Sequence, residues 1–291
     1  MMNVNKRIIQ NYIARMPSLS TTVTKVLEIC NQPTTSPNDL NRVISLDPVL
    51  TGRVLKVVNS AYYSMDSEVT SLTRAIILLG LNTVKNLALS TAILDSMGGK
   101  STGQGLNMDD FWLHSLGVGV IARGLAVRKN VPVMDREEYF VAGLLHDLGK
   151  IPLNQCYPDD YIQVMQSAAD LGSSIYEVES QLMGMNHCIV GAMIAEKWRL
   201  HQNLSNVLNY HHCPENLNGQ ANGLAMMVTL ANLCANDWGI GSADQGAAQD
   251  STIDHYLVEI QMSRDELSEI HDSMFDEIEK AKVFLQLSQK G

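Results

Sequence analysis

Apolar residues recur every three to four positions along almost the whole chain, the period of an α-helix laid against a core. Leu19, Val23, Val26, Leu27 and Cys30 set the pattern near the start. Ser36-Pro37 reads as a helix N-cap followed by a first-turn proline, with Asp39 behind it, and Asp47-Pro48 repeats the device to open DPVLTGRVLKVVNSA. Helical segments resume near 71–79 and 82–96, separated by Gly80 and with Asn82 as cap. Asn107 caps a helix to about 128, and Asp135 with Glu138 forms a capping-box pattern for a helix ending at Gly149. Pro158 opens a helix that Gly172 stops, Ser174 with Glu177 starts the next, and Asn186 caps HCIVGAMIAEKW. Two more helices follow near 203–211 and 221–237. Ser263 with Glu266 begins a last helix, in which Leu267, Ile270, Met274, Ile278, Ala281 and Leu285 make one apolar stripe. Nothing alternates as a strand over more than a few residues. The pattern predicts an all-α fold.

Two stretches interrupt it. MGGKSTGQGLN, 97–107, carries four glycines and little apolar content, and GIGSADQGAAQDS, 239–251, is small and polar. They predict an N-terminal helical lobe over 1–100, a second lobe over 107–240 and a C-terminal helical extension over 252–291.

Composition narrows the class. With 291 residues, 45% hydrophobic and 18% charged, the chain has enough material for a sizeable core. A net charge of −10 without a Lys/Arg cluster argues against nucleic acid as partner. No apolar run approaches the roughly 20 residues of a membrane span, and the N-terminus has no signal-peptide pattern. Five widely spaced cysteines without CxxC fit a reduced, cytoplasmic compartment.

One segment does not fit a plain core helix. FVAGLLHDLGK, 140–150, is covered by Phe140, Val141, Leu144, Leu145 and Leu148, yet it holds His146 beside Asp147. Burying either alone is costly, so each needs a partner. Eight histidines occur, and five lie in distinctive settings: His114 in FWLHSLGVG, His146, His187 in NHCIVGA, and His211-His212 in YHHCPE. One arrangement serves them all: several helices aim imidazoles and one carboxylate at a shared divalent metal site, of one or two ions. Such donors suit iron, manganese, zinc or nickel without choosing among them. A carboxylate such as Asp147 can bridge two ions, and an open position would let bound water attack phosphorus. Lys150 could steady a phosphate as a point charge. The plainer alternative is a histidine hydrogen-bonded to backbone, and it is the natural one for His201, His255 and His271 in polar surroundings. Cys188 and Cys213 adjoin candidate ligands but read first as small buried hydrophobes. Gly117, Gly119 and Gly191 read as packing glycines at close helix contacts.

The ordered set H…HD…H…HH resembles the HD superfamily of metal-dependent phosphohydrolases. HDLGK is similar to its signature, and the tandem HH after a separate His is similar to its HD-GYP branch. MPSLSTTVTKVLEI, VISLDPVLTGRVLKVVNSAYYS and SLTRAIILLGLNTVKNLALS resemble the HDOD domain, an HD-related output domain of bacterial signalling proteins. The likeness covers about residues 10–240. It implies that His114, His146 and Asp147 hold one metal, with Asn232 at the position of a distant Asp. An amide there brings no negative charge, and Asp237 lies on a different part of that helix. It implies that His187, His211 and His212 hold a second metal, with Asp147 as the bridge. The GYP segment is absent, which argues against cyclic di-GMP hydrolysis.

Two functions follow as expectations. One is a signalling output or adaptor protein with a His/Asp metal site and a signalling partner protein. The other is a metal-dependent phosphohydrolase or phosphodiesterase acting on a nucleotide or other phosphate ester, with Asp147 and Lys150 as catalytic candidates. The amphipathic last helix makes a homodimer a further expectation.

Overall fold

The computed structural model describes residues 4–30, 32, 34–97, 105–241 and 250–288. Over these every regular element is a helix, with no strand. Residues 98–104 of the glycine-rich stretch and 242–249 of the polar stretch lie outside the described residues.

Caps fix where the first helices begin. α1 (Lys6–Arg15) starts at Asn5 and is followed by α2 (Thr21–Cys30). Ser36 caps α3 (Pro37–Ile44) through a full capping box with Asp39, and Asp47 caps α4 (Pro48–Val58) by accepting from the Leu50 N–H at 3.0 Å. α5 (Leu72–Leu79) and α6 (Leu81–Met97) meet at 118°. The cap expected at Asn82 is not there. Gly80, at φ +87°, makes the corner itself, so α6 has already begun when Asn82 is reached.

The middle of the chain carries α7 (Met108–Arg128), α8 (Arg136–Leu145), α9 (Lys150–Cys156), α10 (Pro158–Leu171), α11 (Ile175–Met183), α12 (His187–Trp198), α13 (Gln202–Tyr210) and α14 (Gln220–Asp237). Asn107, Ser174 and Asn186 cap α7, α11 and α12 as their sequence predicts. Asp135 does not cap α8. It closes a short 3-10 turn in a helical conformation, whereas capping needs an extended residue, and Glu138 instead accepts from the Asn203 amide at 3.1 Å.

The helix expected to end at Gly149 ends at Leu145. His146 Nδ1 donates to the Gly143 carbonyl at 2.6 Å, taking the acceptor that the next helical N–H would use. His146–Gly149 is therefore a turn between α8 and α9.

α15 (Asp250–Glu259), α16 (Arg264–Ala281) and α17 (Val283–Ser288) complete the described chain. The last apolar stripe is split. Leu267, Met274, Ile278 and Ala281 are buried along α16, and Phe284 takes the buried position of α17. Phe284 packs against Phe140 at 4.8 Å and Tyr62 at 5.8 Å, joining the last helix to both earlier parts of the chain. One hydrophobic core runs from Ile9 to Phe284. No single described helix is long and apolar enough to cross a membrane.

Candidate metal centre

Two backbone approaches bring distant histidines together. α7 and α8 touch at Gly119 and Gly143: a Cβ on Gly143 would lie 2.7 Å from the Gly119 backbone. A Cβ on Gly149 would lie 1.9 Å from the His187 carbonyl, so only glycine lets the HDLG turn abut the start of α12. The rings of His114 and His146 consequently lie 5.6 Å apart, and those of His146 and His211 4.9 Å apart.

Four imidazoles are held from behind in the same way. His114 Nδ1 faces the Ile240 carbonyl at 3.1 Å, His146 Nδ1 the Gly143 carbonyl at 2.6 Å, and His211 Nδ1 the Val207 carbonyl at 3.0 Å. His187 Nδ1 faces Glu179 Oε2 at 2.7 Å. A nitrogen facing such an oxygen is a donor, so each neutral ring carries its proton on Nδ1 and a bare lone pair on Nε2. This is how second partners fix a ligating histidine.

Those lone pairs converge. His187 Nε2 lies 3.2 Å from His211 Nε2 and 3.1 Å from His212 Nε2. Asp147 Oδ1 lies 3.3 Å from His187 Nε2 and 3.6 Å from His211 Nε2. Its other oxygen, Oδ2, faces His146 Nε2 at 3.4 Å and Lys150 Nζ at 2.7 Å. Asp147 thus stands between two donor groups: His114, His146 and Asp147 itself on one side, and His187, His211 and His212 on the other, with Cys188 beside the ring of His211. His114 Nε2 faces Asn232 Oδ1 at 2.9 Å. With Nδ1 donating, that is acceptor against acceptor unless the amide is turned or a cation lies between.

The residues fit a divalent ion. His146 Nε2 and both Asp147 oxygens are buried without an aligned hydrogen bond; the Lys150 approach is an ion-pair contact outside that alignment. Buried polar atoms in this state are costly, and a cation satisfies them together. The donor set of imidazoles and one carboxylate suits a first-row transition ion.

The electrostatics agree with a cation-seeking pocket. Burial pushes His146 and His212 well below the ordinary imidazole range. Burial opposes charge on Asp147 too, but His146, Lys150 and His187 hold its carboxyl well below the usual range. Burial also opposes charge on His187, but Glu179, Cys188 and Asp147 together outweigh it and raise the ring to about 10.

All seven residues singled out in the sequence (His114, His146, Asp147, His187, His211, His212 and Asn232) are in this cluster. Lys150 is there as well, fully buried. His201 caps α13 and His271 pairs with Asp272 on the surface, both outside it. Asp237 is exposed and lines a different groove with Trp238 and His271.

Sequence reasoning missed two members. Glu179 accepts from His187 Nδ1, from the His187 backbone N–H at 2.7 Å and from the Tyr161 hydroxyl at 2.8 Å, all fully buried. Its signal was present: on α11 it follows Ile175 by four residues, which puts an acidic side chain on the apolar face. Tyr176, one turn earlier, stacks its ring on His212 at 4.5 Å.

The sequence model of the HDOD domain family matches residues 16–214. A crystal structure of an HDOD domain protein with unknown function from Geobacter sulfurreducens is 25% identical, with a TM-score of 0.76 over 96% of this chain and 97% of that one. A protein from Marinobacter aquaeolei VT8 named "Putative signal transduction protein" is 20% identical, with a TM-score of 0.76 over 100% of this chain and 68% of that one. One from Shewanella amazonensis SB2B named "Putative phosphohydrolase" is 23% identical, with a TM-score of 0.72 over 97% and 98%. Below 25% identity the likeness is one of fold. An "Uncharacterized protein" of Treponema pallidum (strain Nichols) is 25% identical over 230 residues, 77% of this chain. The chain spans 43% of the length of that relative.

Proposed function

This chain belongs to the HDOD domain family, and we propose that it is a signalling output module whose buried His/Asp cluster holds one or two divalent ions as an internal brace. Its output is contact with a signalling partner protein.

One observation carries this reading. The side chains of His114, His146, Asp147, Lys150, His187 and His211 have no solvent exposure. Lys150, the residue suited to steady a phosphate, is turned inward onto Asp147. A phosphate ester would have to displace packed protein to reach either.

A bound divalent ion would supply positive charge to the inward-facing lone pairs and Lewis acidity toward a phosphate oxygen. The chain's own residues do the rest. Glu179 and the carbonyls of Gly143, Val207 and Ile240 fix ring orientation and turn Nε2 inward. Asp147 links the two donor groups, and Lys150 neutralises part of its charge.

A second reading, a metal-dependent phosphohydrolase, has its own support. Asp147 faces both donor groups, as a carboxylate shared by two ions would. The two separate in one assay: the protein is loaded with manganese or iron and offered bis(p-nitrophenyl) phosphate. The output-module reading expects retained metal without turnover. Turnover that disappears in Asp147→Ala, with the fold intact, overturns it in favour of the hydrolase.

A further inference from the structure

Among the described candidate ligands, only His212 is partly exposed; His114, His146, Asp147, His187, His211 and Asn232 are buried, as is Lys150 beside them. His212 is therefore the one candidate ligand with a face toward solvent. Tyr176 covers that place. Its ring lies flat on the His212 imidazole, with centroids 4.5 Å apart and planes 17° apart, and meets the His187 ring edge-on at 6.0 Å. Its hydroxyl points to Cys213 Sγ at 3.6 Å, tethering the ring on the far side.

Position on α11 explains why this residue does it. Tyr176 and Glu179 are three apart, on one face of the helix. Glu179 grips His187 from behind while Tyr176 lies across His212. A single helical turn thus supplies an anchor and a cover to neighbouring histidines. The cover is held by ring contacts with His212 and His187 and a weak sulfur contact, while the anchor is a buried carboxylate with three donors. The cover is the element that yields first.

We propose that Tyr176 is the gate of the cluster: its ring must swing off His212 for an ion or small molecule to enter or leave. The exchange of ions rests on the metal-site reading above; the access route does not. The gate acts on rates. Tyr176 turns its hydroxyl to Cys213 and lends the cluster no donor atom, so its removal speeds loading and loss together and leaves affinity nearly unchanged.

The test has two arms on the full chain. In the first, protein loaded with zinc or manganese is challenged with excess EDTA and ion release is followed. Tyr176→Ala should release about tenfold faster than wild type. Tyr176→Phe, which keeps the ring, should match wild type. In the second arm the protein is stripped of metal, and iodoacetamide labelling of Cys188 is timed by peptide mass spectrometry. Cys188 is buried beside His211, behind the same cover. Labelling should quicken in Tyr176→Ala and not in Tyr176→Phe. Unchanged Cys188 labelling in a folded Tyr176→Ala overturns the gate, whatever the metal content. Quickened labelling in Tyr176→Ala, where the wild-type chain takes up no metal, sustains the gate as an access route and removes the metal-site reading instead.

Discussion

Glu179 Oε2 accepts both the ring Nδ1–H and the backbone N–H of His187, each at 2.7 Å. One carboxylate therefore joins the Asn186 cap in holding the start of α12 and sets which nitrogen of its first residue faces the cluster. Glu179→Gln retains the shape but weakens the hold on Nδ1. Partners of this kind are worth about 10–100-fold in metal affinity. Competition with a chromophoric chelator should show a loss in that range at one ion site, with the helical circular dichroism of wild type. An unaltered affinity would remove Glu179 from the account.

Asp147 and Lys150 form a buried pair whose members can be separated. Asp147→Ala should abolish ion binding and also leave an ammonium without its carboxylate, at about 3–5 kcal/mol of stability. Asp147→Ala with Lys150→Met should recover much of that stability and none of the binding. Urea denaturation of the two variants, beside a metal titration, reads the two effects independently. Equal stability of the single and double variants would mean the pair carries no charge that matters to folding.

Asn232 faces His114 Nε2 at 2.9 Å with an amide oxygen. Asn232→Asp puts a full negative charge there, and charged contacts of this kind are worth about 1.5–3 kcal/mol, or tenfold and more in affinity. Titration should show the His114 side of the cluster binding its ion more tightly. Equal or weaker affinity would place the fourth ligand elsewhere.

Away from the cluster, Glu137 is buried at the start of α8, where it accepts from the Tyr63 hydroxyl at 2.7 Å and faces Arg123 at 3.5 Å. Burial raises its carboxyl above the ordinary value of 4.5 despite Arg123. Between the two values the folded protein holds a proton that the unfolded chain has released. The stabilisation is fully present below the ordinary glutamate value and is lost as pH rises through the raised one. Wild-type stability should fall across that window relative to Glu137→Gln. Parallel pH-dependent denaturation curves for the two proteins would contradict the assignment.

The sequence announced helices well where a cap or a proline fixed them, as at Ser36, Asp47, Asn107, Ser174 and Ser263. It misplaced ends where a tertiary contact decided. α8 stops at Leu145 because a histidine side chain captures a backbone acceptor, and Asp135 fails as a cap because a 3-10 turn precedes it. α1 escaped notice because only Ile9 and Ile13 are buried on it. It is held largely from outside, by Lys197 donating to the carbonyls of Ile13, Ala14 and Met16. Residue type and order brought out the histidines and Asp147. Glu179 and Tyr176 did not stand out, since a lone acidic residue and a lone tyrosine acquire their roles only through what they touch.

The central claim is that His114, His146, Asp147, His187, His211 and His212 together hold one or two divalent ions. The most direct measurement is elemental analysis of protein that has been loaded in turn with iron, manganese, zinc and nickel and then desalted. One or two equivalents per chain should remain with at least one of these ions, and none in Asp147→Ala. A folded wild-type chain that retains no ion under any of the four conditions contradicts the claim.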